Sequence, residues 1–257
     1  MKDQPNSIRL AQEIRKFSYK AGIDLVGFSS MDEPSLYLRP ENRGFMYEMG
    51  YRWAISIACR ISFAACELLL RGEDAGMLFC FDRHCREQAA LLERAAHSLC
   101  LHLEDNGIRA FLVPGMGKGY NDGGAKVTVS HMAQARLAGL GEMGDSGMLI
   151  TPQYGPRVRL ATILVDHPLP LASKMLTGVC THCGLCKKVC PSGSIKGERF
   201  NPSYPEQCYT DKNVCGRYRD GNKARLGSRF CNLCMAICPV GRPALKGAKP
   251  YIVTAAE

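Results

Sequence analysis

Between Ser7 and Ala21, the apolar residues Ile8, Ala11, Ile14, Phe17 and Ala21 recur every three to four positions. That spacing places them on one face of a helix. Gly22 is a natural stop for it. Asp24 to Phe28 then reads as a short strand, and residues 31–50, with Pro34, Pro40 and two glycines, read as irregular. Trp53 to Cys59 is a continuous apolar run of strand length, which predicts a strand covered on both faces. The clearest helical pattern spans 82–106, where Ala89, Leu92, Ala96, Leu99 and Leu103 form one stripe. Asp82 is its expected N-cap and Asn106-Gly107 its stop. Ala110 to Val113 follows as a strand, residues 128–138 as a helix, and Leu149 to Arg157 as a strand and turn. Val158 to Asp166 is a second, β-branched strand. Pro168 and Pro170 mark a boundary. The helices and short strands before that boundary read as one domain over 1–171. A cysteine-rich module at 172–246 and a tail at 247–257 would follow.

Two glycine-rich stretches interrupt this pattern. Gly115 to Gly124 holds five glycines around Lys118, with no Ser or Thr after the lysine, so it is no phosphate-binding P-loop. It reads either as a mobile loop or as backbone passing close to a flat cofactor. Gly139-Leu140-Gly141-Glu142-Met143-Gly144 contains G-x-G-x-x-G. A dinucleotide site needs a strand before that motif and a helix after it. Here a helical stretch precedes it, which excludes the nicotinamide reading.

Chemistry enters with the 14 cysteines, far above ordinary usage. Cys180, Cys183, Cys186 and Cys190 form C-x2-C-x2-C-x3-C-P, the run by which bacterial-type ferredoxins hold clusters. Cys231, Cys234 and Cys238 repeat its C-x2-C-x3-C-P ending. In such pairs the last cysteine of each run ligates the other cluster. Cys180, Cys183, Cys186 and Cys238 would then hold one 4Fe-4S cluster, and Cys190, Cys231 and Cys234 the other. The spacing leaves either Cys208 or Cys215 as the missing ligand. Structural zinc also uses C-x2-C, but it needs four closed ligands and no swapped C-P endings. Disulfides are disfavoured in reducing cytosol. Cys59, Cys66, Cys80, Cys85 and Cys100 read as small hydrophobes of the core.

Net charge is +9, an excess that can attract nucleic acid, an acidic electron donor or an anionic cofactor. The polar start, Met1 to Leu10, has no apolar core of a signal peptide, and no window approaches a membrane span. The expectation is a cytoplasmic protein with no membrane partner.

The stretch 130–169 resembles the epoxyqueuosine reductases and the reductive dehalogenases. The resemblance rests on Ala138-Gly139-Leu140-Gly141-Glu142-Met143-Gly144, Leu149-Ile150-Thr151-Pro152, Tyr154-Gly155, Arg159-Leu160, Val165-Asp166 and Pro168-Leu169. The cysteine module follows where that family has one, and Gly22 to Gly27 resembles the family's start. The resemblance implies an α/β (α+β) fold: a nitroreductase-like domain that binds cobalamin, with a ferredoxin-like double 4Fe-4S module packed on it. It implies an oxidoreductase in which two clusters pass electrons to cobalamin, which reduces a small-molecule substrate. Gly139, Gly141, Gly144, Thr151, Tyr154 and Arg157 would lie along the corrinoid, and the family's extra cysteine falls at Cys208. The family's catalytic aspartate corresponds to Ala125 here, so a proton donor must come from Asp122, Tyr120 or His131. Each of these has a plainer reading as a solvated loop or helix-start residue. Family reductases acting on tRNA continue into a helical-repeat region past the clusters, whereas this sequence ends at Glu257. The expectation is therefore no nucleic-acid partner. The basic stretch Arg217 to Arg225 reads as a solvated loop or as a docking face for a low-potential donor, a ferredoxin or flavodoxin.

Two other readings stay open at this point. The chain could be an electron-transfer protein that delivers low-potential electrons to a partner's cofactor, which suits the loss of the acid at Ala125. The first domain could instead hold a flavin.

Overall fold

The computed structural model describes residues 4–32, 46–71, 75–113, 129–201, 210–226 and 231–242. In chain order its elements are α1 (Gln4–Lys20), β1 (Leu25–Ser30), β2 (Trp53–Arg60), α2 (Phe63–Leu70), α3 (Ala75–Asp105) and β3 (Ala110–Val113). Then come α4 (His131–Leu137), β4 (Glu142–Met143), β5 (Leu149–Ile150), β6 (Val158–Val165), α5 (Leu185–Lys188), α6 (Lys212–Leu226) and α7 (Leu233–Ile237).

β1, β2, β6 and β3 form a sheet in the order β1-β2-β6-β3, and every neighbouring pair is antiparallel. Antiparallel pairing puts the mixed helix and sheet fold in the α+β half of the expected class. β2 and β6 are central and apolar on both faces because both faces are covered. On one side Ile55, Ile57, Cys59, Ala161, Ile163 and Val165 pack with Ala11 and Ile14 of α1 and with Leu92, Ala96, Leu99 and Leu103 of α3. On the other, Ala54 and Leu164 pack with Met31, Val113 and Val129.

The long helix departs from its expected start. α3 begins at Ala75, seven residues before Asp82, so Asp82 is an interior residue rather than an N-cap. Its carboxylate instead accepts from Arg86 Nε at 2.9 Å and Nη2 at 3.1 Å. The reason is apolar. Leu78 and Phe81 continue the helical stripe into a second cluster with Ile61, Cys66 and Leu69 around α2. Burying each large side chain contributes roughly 1.5–3 kcal/mol, more than a cap of about 1 kcal/mol. Met235 and Ala236 of α7 complete that cluster, so the second cysteine run is anchored in the core.

β5 pairs with β4 rather than with β6, and the turn between β5 and β6 closes through a Thr151–Gly155 bridge. α4 precedes the G-x-G-x-x-G segment, as expected, with Ser130 Oγ accepting from the Ala133 N–H at its N-cap. Among the described residues, no helix is long and apolar enough to cross a membrane.

Candidate metal centre

The two cysteine runs meet on the segment 139–148. Glu142 Oε2 accepts from the backbone N–H groups of Val179 at 2.7 Å and Cys180 at 3.1 Å. Asp145, 6% exposed, lies 2.8 Å from His182 Nδ1 through its Oδ1. A side chain at Gly144 would meet Cys180 Sγ at 3.5 Å and Ile150 at 2.6 Å, so glycine permits the first run to lie against β5. The Ser146 carbonyl accepts from Thr210 Oγ1 at 2.9 Å, and Met148 Sδ lies 3.9 Å from Cys234 Sγ. One short segment therefore touches both runs. The first cysteine loop turns on the left-handed residue His182 (φ 51°), and α5 on Gly184 (φ 72°).

The thiols sort into two groups. Burial pushes the Cys186 thiol up to about 11, with Asp145, Cys180 and Cys183 adding to the rise. Burial likewise raises Cys238, and Cys183 and Cys180 act on it from the other run. Cys231 is raised by burial and by Cys215 and Cys190. Cys234 is pushed by burial up to about 12, with Cys231, Cys190 and Cys215 as the next causes. Burial also acts to raise Cys190. The hydroxyls of Ser192 at 3.4 Å and Ser194 at 3.3 Å, with nearby backbone N–H groups, outweigh it and bring the thiol down to about 7. Clustered thiols that repel one another as thiolates are the donor set a cationic cluster core relieves. The donor set present thus fits an iron–sulfur group.

Cys208 lies outside the described residues. Cys215 is placed by a chain of contacts. The Asp211 N–H bonds the Ser194 carbonyl at 2.8 Å, and the Asp211 carboxylate caps α6 by accepting from Asn213 and Val214 N–H groups. Those backbone bonds, Val214 first, hold the Asp211 carboxyl below its usual range. Cys215 then sits on the first turn of α6. The basic stretch 217–225 belongs to this helix rather than to a loop, because Asp211 starts it. Arg217 and Lys223 are exposed on it.

The residues expected along a corrinoid do not share one open face. A side chain at Gly141 would meet the Ile150 carbonyl at 2.5 Å, so protein already fills that space. Arg157 is 2% exposed and donates to the carbonyls of Met235 at 3.3 Å, Cys238 at 2.8 Å and Val240. Burial lowers its pKa. Thr151 Oγ1 donates to the Gly155 carbonyl and accepts from the Tyr154 N–H, which locks the turn. Tyr154 reaches Asp24 at 3.5 Å, and burial raises its pKa. Gly139 borders a hollow of about 450 Å³ with Arg15, Phe28, Leu140 and Leu171. Tyr120 and Asp122 lie outside the described residues. His131 starts α4 with Nδ1 2.9 Å from Thr162 Oγ1. Sequence reasoning did not single out Glu142 or Asp145. Their signal is two acids inside a glycine turn that otherwise needs none.

No family model matches the chain. An epoxyqueuosine reductase of Listeria monocytogenes is 34% identical over 119 residues, covering 44% of this chain and 30% of the relative. A tetrachloroethene reductive dehalogenase of Desulfitobacterium hafniense is 36% identical over 129 residues, covering 46% of this chain and 22% of the relative. The chain thus spans less than a third of either relative's length. A reductive dehalogenase described in terms of B12-dependent dehalogenation superposes with a TM-score of 0.67 at 20% identity, covering 92% of this chain and 32% of the other. An epoxyqueuosine reductase solved with a tRNA stem loop superposes with a TM-score of 0.59 at 17% identity, covering 91% of this chain and 66% of the other. The chain is a relative of the epoxyqueuosine reductases and the reductive dehalogenases, and it carries their fold.

Proposed function

We propose that this chain is an iron–sulfur oxidoreductase whose two 4Fe-4S clusters relay single electrons to a second redox centre on the sheet domain. The observation that carries this reading is that segment 139–148 touches both cysteine runs, with Cys238 near enough to Cys180 and Cys183, and Cys234 near enough to Cys190, Cys231 and Cys186, to be acted on by them. Cys180, Cys183, Cys186 and Cys238 hold the first cluster. Cys190, Cys231 and Cys234 hold the second, with Cys215, which lies near enough to act on Cys231 and Cys234, taking the fourth place; Cys208 lies outside the described residues. Arg157 and Arg242 fix the Cys238 turn by donating to its carbonyls. Residues 1–171 act as a nitroreductase-like domain and 172–246 as the ferredoxin-like module.

The relatives make cobalamin the candidate second centre, where it would supply low-potential reduction of a small molecule. Gly141, Gly144, Thr151 and Arg157 are engaged within the protein. Gly139 and Tyr154 are the expected residues with a face left for this role. His131 stays a candidate proton donor with Asp122 and Tyr120. A similar fold solved with a tRNA stem loop weighs against the expectation that nucleic acid is no partner.

The test is anaerobic. The chain is purified with iron and sulfide, Co(II) cobalamin is added, and the EPR spectrum is recorded. Loss of the axial nitrogen splitting supports the corrinoid reading. An unchanged spectrum with both clusters present rejects it and favours the second reading, electron delivery to a partner protein. The exposed Arg217 and Lys223 of α6 favour an acidic partner.

A further inference from the structure

The turn that resembles a cofactor loop has its polar groups aimed elsewhere. Glu142 spends one carboxylate oxygen on the N–H groups of Val179 and Cys180. Asp145, buried in the same turn, bonds the ring of His182, which lies between Cys180 and Cys183 in the chain. An Asp145 carboxylate oxygen, Cys180 Sγ and a His182 ring nitrogen come within 4.8 Å of one another. A side chain at Gly144 would lie 3.5 Å from Cys180 Sγ, so this acidic turn runs close to that thiol. Two carboxylates at one cysteine loop are costly to place beside thiolates, since like charges repel more strongly as water is removed. A purely structural clasp would be served by neutral acceptors.

We propose that Glu142 and Asp145 are positioning residues that hold the first cysteine loop and keep its cluster difficult to reduce. Two effects act in the same direction. Cluster potentials follow local charge and hydrogen bonds to sulfur. The Glu142 carboxylate brings negative charge next to Cys180. It also occupies two backbone N–H groups that would otherwise be free to donate to cluster sulfur, a contact that favours the reduced state. Asp145 adds a second acid and fixes the orientation of His182 in the loop. The thiols that would hold the second cluster meet neutral groups instead, Cys234 beside Met148 and Cys190 beside the hydroxyls of Ser192 and Ser194. The acidic clasp therefore sets the two clusters apart in potential, with an effect confined to one of them.

This inference rests on the two-cluster reading above, and the experiment separates the two. The full chain is reconstituted with iron and sulfide, and each cluster is titrated against potential by EPR. Wild-type protein that takes up no iron and sulfide refutes the cluster reading itself. With clusters present, Glu142→Gln keeps the shape and removes the charge. The expected result is an upward shift of one cluster by at least a tenfold change in its reduction equilibrium, 59 mV for one electron, with the other unmoved. Loss of one cluster only, with the second intact, also supports the positioning role. Unchanged potentials in a fully loaded Glu142→Gln protein overturn the proposal. If that variant does not accumulate, Asp145→Asn is titrated in the same way, and a one-cluster upward shift or its absence decides.

Discussion

Replacing Arg157 with methionine removes the guanidinium that ties the second cysteine run to the sheet domain. Arg157 donates to the carbonyls of Met235, Cys238 and Val240 and is 2% exposed, so water cannot take its place. Hydrogen bonds from a charged group contribute about 1.5–3 kcal/mol each, and the 3.3 Å contact to Met235 is the weakest of the three. Two strong bonds give a gross loss of about 3–6 kcal/mol. Two terms offset it. The buried guanidinium is itself costly to desolvate, as its lowered pKa indicates. Arg242 independently binds the carbonyls of Cys238 at 3.2 Å, Ala236 at 3.0 Å and Ile237 at 3.0 Å. The net expectation is a loss of about 2–4 kcal/mol, a large share of a total of about 5–15 kcal/mol. In urea, with a slope of about 1–3 kcal/mol per molar, the midpoint falls by about 1 M or more. Iron and sulfide content after anaerobic purification should fall with it, because Cys231, Cys234 and Cys238 sit on the freed run. An Arg157→Met protein with the wild-type midpoint and full iron, but without affinity for corrinoid, would refute this reasoning. It would return Arg157 to the cofactor role that its place in the sequence suggested.

The remaining predictions concern the thiols. Cys215→Ala should lose one cluster while Cys208→Ala keeps both, measured by iron content and EPR; the reverse pattern would restore Cys208 as the ligand. Burial pushes Cys59 up to about 11 and Cys66 and Cys100 to about 12 from an ordinary 9.0. A folded pKa above the unfolded one means the folded state holds more protons, so this stability is fully present below about pH 9 and lost as pH rises towards 12. Urea midpoints should therefore decline above about pH 9, with a shallower decline in Cys100→Ala. An equally steep decline in that variant would show that the buried thiol is not its source.

Local periodicity made much of this molecule legible. The α1 stripe of Ala11 and Ile14, the apolar run of β2 and the leucines of α3 each depend on neighbours within a few residues, and each is where its spacing implies. The cysteine runs were legible for the same reason, since cluster spacing is written within a dozen residues. Departures occur where a distant partner decides. α3 starts at Ala75 because Leu78 and Phe81 meet α2 and α7, which overrides a good capping residue at Asp82. β5 takes β4 as its partner rather than the adjacent β6, since β6 is already paired on both edges by β2 and β3. Arg157 and Glu142 of the 139–144 turn bond the cysteine runs, contacts that no local pattern shows. The sequence by itself determined the helical stretches of α1, α3 and α4, the central strands and the metal-binding residue types, because those follow from side-chain period and ligand spacing. Only the tertiary structure decided which thiols meet, which acids sit beside them and which glycines are filled by protein. Those outcomes depend on contacts between residues tens of positions apart, and no local pattern encodes them.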